Sequence, residues 1–163
     1  MKVLLIVYHS MTDGTRQMAS AAAAGARSET GVGVLLLPAA EAHASEVIRA
    51  DGFIFATPEN LAAMSGMMKD FFDRTYYAAL DRVNGKPFVT LVCAGSDGRN
   101  AAQQIARIAL GWRLKPIAAP YIVCTSAQTA EQILKPKIIE PASLAHCSEL
   151  GKTMASGLAL GIF

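Results

Sequence analysis

The chain has 163 residues, 52% of them hydrophobic and only 17% charged, which excludes a disordered or tail-like protein. That length suits one domain, 1–163, able to bury about two-thirds of its unfolded surface. Fifteen Lys and Arg against thirteen Asp and Glu leave a formal net charge of +2, too small to argue for nucleic acid or an anionic membrane surface. No charge-free apolar run approaches the roughly 18 residues of a membrane span. Residues 1–10 lack the small-residue cleavage site of a signal peptide. Three widely spaced cysteines, Cys93, Cys124 and Cys147, suit reduced thiols, so a cytoplasmic protein is expected.

Short apolar runs alternate with helical patterns along the chain. Residues 3–7, Val-Leu-Leu-Ile-Val, do not alternate, as expected of a strand buried on both faces. An Ala-rich helix is predicted over about 15–27, a second strand over 32–37 and a helix over about 41–49. Residues 52–56 predict a third strand, and Met64, Met67, Met68, Phe71, Phe72 and Thr75 then step by three or four along a helix. A fourth strand covers 88–93, with its helix marked by Ala102, Ile105, Ile108, Ala109 and Trp112. Residues 117–123 predict a fifth strand, placed at an edge by Pro116 and Pro120. A last helix runs from about Ala142 through Leu158, whereas 125–141 carries only a weak helical pattern with Pro136 and Pro141.

Five strands alternating with helices imply an α/β fold, a parallel sheet with helices on both faces. Ligands bind outside the carboxyl ends of such strands, so the loops after strands one, three and four are where chemistry is expected. The first loop is Ser10-Met11-Thr12-Asp13-Gly14-Thr15. Three hydroxyls and a glycine stand at a helix entrance, with no basic residue inside the loop. A helix N-terminus offers free N–H groups and a partial positive charge, so a phosphate can be held there without lysine. An ordinary N-cap needs one such residue, not four in six positions. No Gly-x-Gly-x-x-Gly follows a strand and no Gly-Lys-Ser/Thr loop occurs, which argues against a dinucleotide dehydrogenase and a nucleoside triphosphatase.

This loop resembles that of the flavodoxin-like flavoproteins, Ser/Thr-x-Thr-Gly-x-Thr, which cradles the phosphate of FMN. Ser10, Thr12 and Thr15 fall on the three hydroxyl positions, with Asp13 where the pattern has Gly and the glycine displaced to Gly14. Residues 56–75 sharpen the match. Thr57-Pro58-Glu59 followed by Gly66 and Lys69 is similar to the NADPH-dependent FMN reductases. Met64, Met68, Lys69, Phe71, Asp73 and Thr75 are similar to the tryptophan-repressor-binding-protein type of NAD(P)H:quinone oxidoreductase. The resemblance implies a flavodoxin-like three-layer sandwich with strand order 2-1-3-4-5. It implies FMN as cofactor, with Ser10 to Thr15 at its phosphate. Thr57, Pro58, Glu59, Asn60 and Leu61 would lie at the flavin edge, and Ala94, Gly95, Ser96, Asp97 and Gly98 beside the ring. Pro58 is expected to stiffen its loop, and Gly66 to allow close approach of the helix. Met64, Met68, Phe71 and Phe72 are core or an interface; Lys69 is a solvated residue or part of an interface.

The third loop carries a rival. Cys93 to Arg99 is Cys-x5-Arg between a strand and a helix, the spacing of tyrosine-phosphatase loops, although Val92 and Asn100 replace that motif's usual flanking residues. In the same loop, Ser96 or Asp97 is expected to cap the following helix. His9, His43 and His146 share no ligand spacing, so no metal site is expected, and no side chain emerges as acid, base or nucleophile.

The resemblance implies an oxidoreductase passing a hydride from NAD(P)H through FMN to a quinone, flavin or similar small-molecule acceptor. It also implies a homo-oligomer, dimer or tetramer, with the pyridine-nucleotide site between subunits and the Met/Phe helix as a contact. The alternatives are a flavodoxin-type electron carrier and an FMN-binding regulatory module. A calculated pI near 8.5 and the lack of Trp or Tyr in the second and third loops lean towards the enzyme.

Overall fold

The computed structural model describes residues 1–163. Its sheet is built from β1 (Lys2–Tyr8), β2 (Val32–Pro38), β3 (Gly52–Asn60), β4 (Ala63–Met64), β5 (Pro87–Ala94), β6 (Lys115–Pro116) and β7 (Tyr121–Cys124). The helices are α1 (Gly14–Arg27), α2 (Ala44–Arg49), α3 (Gly66–Ala79), α4 (Arg99–Gly111), α5 (Ala130–Leu134) and α6 (Pro141–Leu160). The parallel order is β2-β1-β3-β5, with β6 and β7 both paired to the far edge of β5. This is the flavodoxin-like α/β sandwich, with seven strands where periodicity predicts five.

Both extra strands have a local cause. Pro116 and Pro120 have no N–H to donate, so the expected fifth strand leaves the ladder between them and resumes at Tyr121. Strand β3 continues beyond the predicted run and folds back on itself. Glu59 pairs with Met64 and Asn60 with Ala63, leaving Leu61-Ala62 as a two-residue turn.

Helices α1 and α6 cover one face of the sheet and α2, α3 and α4 the other. The alanine run in α1 acquires a purpose here, since Ala19, Ala22, Ala23 and Ala26 are fully buried beneath α6. A Cβ at Gly151 would collide with the Ala22 carbonyl, so two nearly bare helix faces meet backbone to backbone. On the opposite face, Phe55 is ringed by Phe53, Phe71, Phe72, Phe88 and Trp112, with ring centroids between 5.0 and 6.5 Å. Met64, Met68, Phe71 and Phe72 are therefore core residues and not an interface. The large hydrophobic residues α3 exposes are Met67, Tyr76 and Tyr77, and Lys69 pairs with Asp73 at 2.7 Å on the solvent side. No helix is long and apolar enough to cross a membrane.

Candidate functional site

The carboxyl ends of β1, β3 and β5 open on a cavity of about 430 Å³. Its walls are Ser10, Met11, Thr12, Gly14 and Thr15 from the first loop, Pro58 to Ala62 from the β3–β4 hairpin, and Cys93 to Ser96 at the end of β5. The fourth wall comes from Thr125, Ala127, Ile133, Leu134 and Lys137.

In the first loop, a left-handed turn and a close approach, both of which a single glycine could supply, fall to two residues. Asp13 takes the left-handed conformation, with φ of 73°. Its carboxylate pairs with Arg16 and accepts from Gln17 Nε2 at 3.2 Å. That Arg16 bond holds the Asp13 carboxyl below its usual pKa. Gly14 supplies the close approach, because a Cβ there would lie 2.6 Å from Cys93 Sγ. Ser10 Oγ accepts from the Arg16 amide at 3.2 Å. Thr15 is 1% exposed, lines the cavity, and its Oγ1 has no hydrogen-bond partner. A buried hydroxyl without a partner costs about 1–3 kcal/mol, so Thr15 sits in a place that a ligand oxygen would relieve.

The hairpin is held open under strain. Leu61 and Ala62 have φ of 50° and 62°, the type I′ geometry that Asn-Gly adopts easily and branched or bulky residues do not. Asn100 Nδ2 donates to the Ala62 carbonyl and the Met64 amide donates to Gln104 Oε1 at 2.9 Å, so α4 fixes both sides of the turn. The result is a Leu61 side chain with no cover at all, and Met11, which lines the same cavity, is 71% exposed. Two apolar side chains presented at the mouth of a cavity suit a flat aromatic ligand. Thr57 does not reach the cavity: it is fully buried, donates to the Pro58 carbonyl at 2.9 Å and accepts from the Ser65 amide at 3.1 Å. The close helix approach expected at Gly66 is absent, since a Cβ there would meet nothing within 4 Å.

At the end of β5, Ala94, Gly95 and Ser96 line the cavity, whereas Asp97 turns outward to Arg99 at 2.6 Å. Of the two expected caps, Asp97 is the one that reaches α4, its Oδ1 accepting from the Arg99 amide over 3.4 Å. Gly98, with φ of 84°, precedes α4, and the shorter capping bond comes from Glu59 across the cavity. Glu59 Oε1 accepts from the Gly98 amide at 2.9 Å and Oε2 from the Ala101 amide at 3.4 Å. The phosphatase alternative fails on the same loop. Burial pushes the Cys93 thiol up to about 11, so it is no thiolate at neutral pH, and the Arg99 guanidinium is spent on Asp97 at the surface.

Of the sixteen residues singled out in sequence, Asp13, Thr57, Asp97 and Gly98 do not line the cavity. The wall from 125–141 was missed altogether, because α5 has no buried face and hence no helical stripe. Its cation, Lys137, is tied to the first loop. The Lys137 amide donates to the Thr12 carbonyl at 2.7 Å and Nζ donates to Thr12 Oγ1 at 3.3 Å. The one sequence hint is Lys135-Pro136-Lys137, a basic pair in an otherwise featureless stretch. His9 lies beside the site, its Nδ1 buried without a partner and its pKa lowered by burial. No cluster of His, Cys, Asp or Glu forms a metal site.

Comparison with known proteins adds family and fold. A family model described as NADPH-dependent FMN reductase matches residues 36–129. A protein of Aquifex aeolicus named flavodoxin is 32% identical over 103 residues, covering 63% of this chain and 55% of that protein. A protein of Acidithiobacillus ferrooxidans named NAD(P)H dehydrogenase (quinone) is 36% identical, covering 46% of this chain and 48% of its own. The chain thus spans about half the length of these curated relatives. Among solved structures, a flavodoxin from the domain Archaea superposes with a TM-score of 0.79 at 21% identity, covering 96% of this chain and 98% of that one. A flavodoxin, WrbA-like protein from Agrobacterium tumefaciens gives 0.65 at 16% identity, covering 96% and 99%. At these identities the structural likeness is one of fold.

Proposed function

The chain belongs to the NADPH-dependent FMN reductase family, and from that premise we propose that residues 1–163 act as one FMN-binding domain. Its activity would be electron transfer from NAD(P)H to a small acceptor such as a quinone or a flavin. The observation that carries this reading is the unpartnered Thr15 hydroxyl, buried at the N-terminus of α1 and lining the cavity.

The residues fit the cofactor at both ends. Ser10, Thr12 and Thr15, with the first amides of α1, would hold the phosphate. Met11 and Leu61 would cover one part of the ring system, and the peptide groups of residues 94–96 would run beside it. Bound FMN would supply two-electron redox chemistry between a pyridine nucleotide and the acceptor. The chain's own part is orientation and the exclusion of water. Pro58 and the Glu59–Gly98 bond stiffen two walls, and the apolar Ile133 and Leu134 supply cover on the fourth. Hydride transfer needs no proton acceptor from the protein, which agrees with a cavity whose charged side chains are only Glu59 and Lys137. A homo-oligomer that completes the nicotinamide site between subunits belongs to the same proposal.

The second reading, an electron carrier without NAD(P)H turnover, is favoured by the 32% identity to the Aquifex aeolicus flavodoxin. The formal charge of +2 speaks against the acidic face such a carrier presents to its partners. Anaerobic addition of NADPH or NADH to the FMN-loaded protein separates the two. Loss of the flavin absorbance, followed by steady oxidation of the nicotinamide with a quinone, is expected. FMN binding without either would leave the carrier, and failure to bind FMN would overturn both.

A further inference from the structure

We propose that Lys137 is the phosphate's counter-charge, so that this site selects a phosphorylated flavin over the unphosphorylated one by means of a residue outside the phosphate loop. The inference rests on the FMN reading above.

A phosphomonoester carries about −1.5 to −2 charge at neutral pH, against roughly +0.5 at a helix N-terminus. The first loop has nothing of its own to close that gap. Arg16 is half exposed and its guanidinium is committed to Asp13, through the short Nε contact and an Nη2 bond of 3.0 Å. Glu59 is bound to the α4 amides. Lys137 is the one cation on the cavity wall.

Its placement is built, not accidental. Besides the Nζ contact, three bonds join residues 137–139 to residues 12–17. The Lys137 amide donates to the Thr12 carbonyl at 2.7 Å, Gln17 Nε2 donates to the Lys137 carbonyl at 2.7 Å, and the Ile139 amide donates to Gln17 Oε1 at 3.1 Å. The stem of Lys137 packs on Gly14, where a Cβ would lie 3.4 Å from its own. Two of the three Nζ protons are bound by the carbonyls of Ile133 and Lys135, at 2.8 and 2.6 Å. The third points at Thr12 Oγ1 over a longer 3.3 Å. That arrangement leaves the Thr12 hydroxyl accepting from Lys137 and keeping its own proton to donate. The Thr15 hydroxyl, buried and without a partner, faces the same cavity and is the independent sign that an oxygen-rich group belongs there.

The test compares FMN with riboflavin, by calorimetric titration of the flavin-free full chain at low and high salt. The proteins are the wild type, Lys137→Gln, Lys137→Met and Lys137→Arg, each checked for its fold by circular dichroism. Loss of one charge-assisted contact should weaken FMN by about ten- to a hundredfold in Lys137→Gln and Lys137→Met. Riboflavin affinity should stay within about twofold, since an uncharged ligand makes no such contact. Lys137→Arg should recover most of the FMN affinity, and the salt dependence of FMN binding should flatten in the two uncharged variants. Wild-type protein that binds FMN while both uncharged variants bind it equally well overturns the role of Lys137 and leaves the FMN reading standing. An equal loss of FMN and riboflavin overturns the charge role in favour of a structural one. Wild-type protein that binds neither flavin removes the underlying reading as well.

Discussion

Glu59, at the end of β3, accepts a hydrogen bond at 2.9 Å from the backbone amide of Gly98, 39 residues later, and so caps the helix that starts at the next residue. The bond welds the hairpin wall of the cavity to the wall after β5. From its own loop helix α4 has only Asp97, whose Oδ1 accepts from the Arg99 amide over 3.4 Å while also holding the Arg99 guanidinium at 2.6 Å.

Replacing Glu59 with Ala should therefore lower stability by about 1–2 kcal/mol, the range of a lost cap with its helix-dipole contribution. Glu59→Gln keeps an acceptor and should fall between. Urea unfolding of the flavin-free proteins measures both. FMN affinity should fall in the same order, because the Ala94–Gly98 segment loses its anchor.

Thr15→Val separates stability from binding. Valine keeps the branched shape and removes a buried hydroxyl that has no partner. Thermal unfolding of the flavin-free protein should be raised, by up to about 1 kcal/mol, since the desolvation cost disappears. FMN affinity should drop by about tenfold or more as a phosphate donor is lost. Opposite signs in the two measurements are the signature; parallel signs would mean that the hydroxyl is structural.

Asp13 sits at φ of 73° where the related loops have glycine. Asp13→Gly should be about as stable as the wild type, because relief of the left-handed backbone offsets the loss of a largely exposed ion pair. Asp13→Ala keeps the strain and loses the side-chain bonds, so it should be less stable than Asp13→Gly by about 1 kcal/mol. Denaturant midpoints of the pair decide this without reference to the cofactor.

The three thiols should separate by reactivity. Burial pushes Cys93 up to about 11 and Cys147 up to about 12, whereas Cys124 is exposed. At mildly alkaline pH, iodoacetamide followed by mass spectrometry should label Cys124 alone, with Cys93 and Cys147 reacting only in denaturant. The sign of the linked pH effect follows. A raised folded pKa favours the protonated thiol, so stability is complete below the unfolded value of 9.0 and declines as pH rises towards 11–12. Cys93→Ser should leave flavin binding largely in place, as expected of a packing residue beneath Gly14 and not of a nucleophile.

Much of the fold and part of the site could be read without coordinates, for identifiable reasons. Residues buried on both faces of a parallel strand leave an unbroken apolar run, so 3–7, 52–56 and 88–93 announced themselves. The carboxyl ends of those strands then located the three loops that line the cavity. Legibility ended where a short exposed element leaves no stripe, as in α5, or where two prolines divide a strand, as between β6 and β7.

Sequence alone determined the α/β order, the hydroxyl-rich loop at a helix entrance and the core role open to the Met/Phe stripe, because these are written in spacing of a few residues. Tertiary structure alone decided what the polar side chains do. Glu59 finds Gly98, Lys137 finds Thr12 across 125 positions, and Cys93 lies under Gly14. A charged or polar group in a loop takes whichever partner the crossovers bring within about 3 Å, and no local period records that choice. Around the cavity the near-neutral charge thus resolves into an Asp13–Arg16 pair, a helix-capping Glu59 and one lysine on the wall.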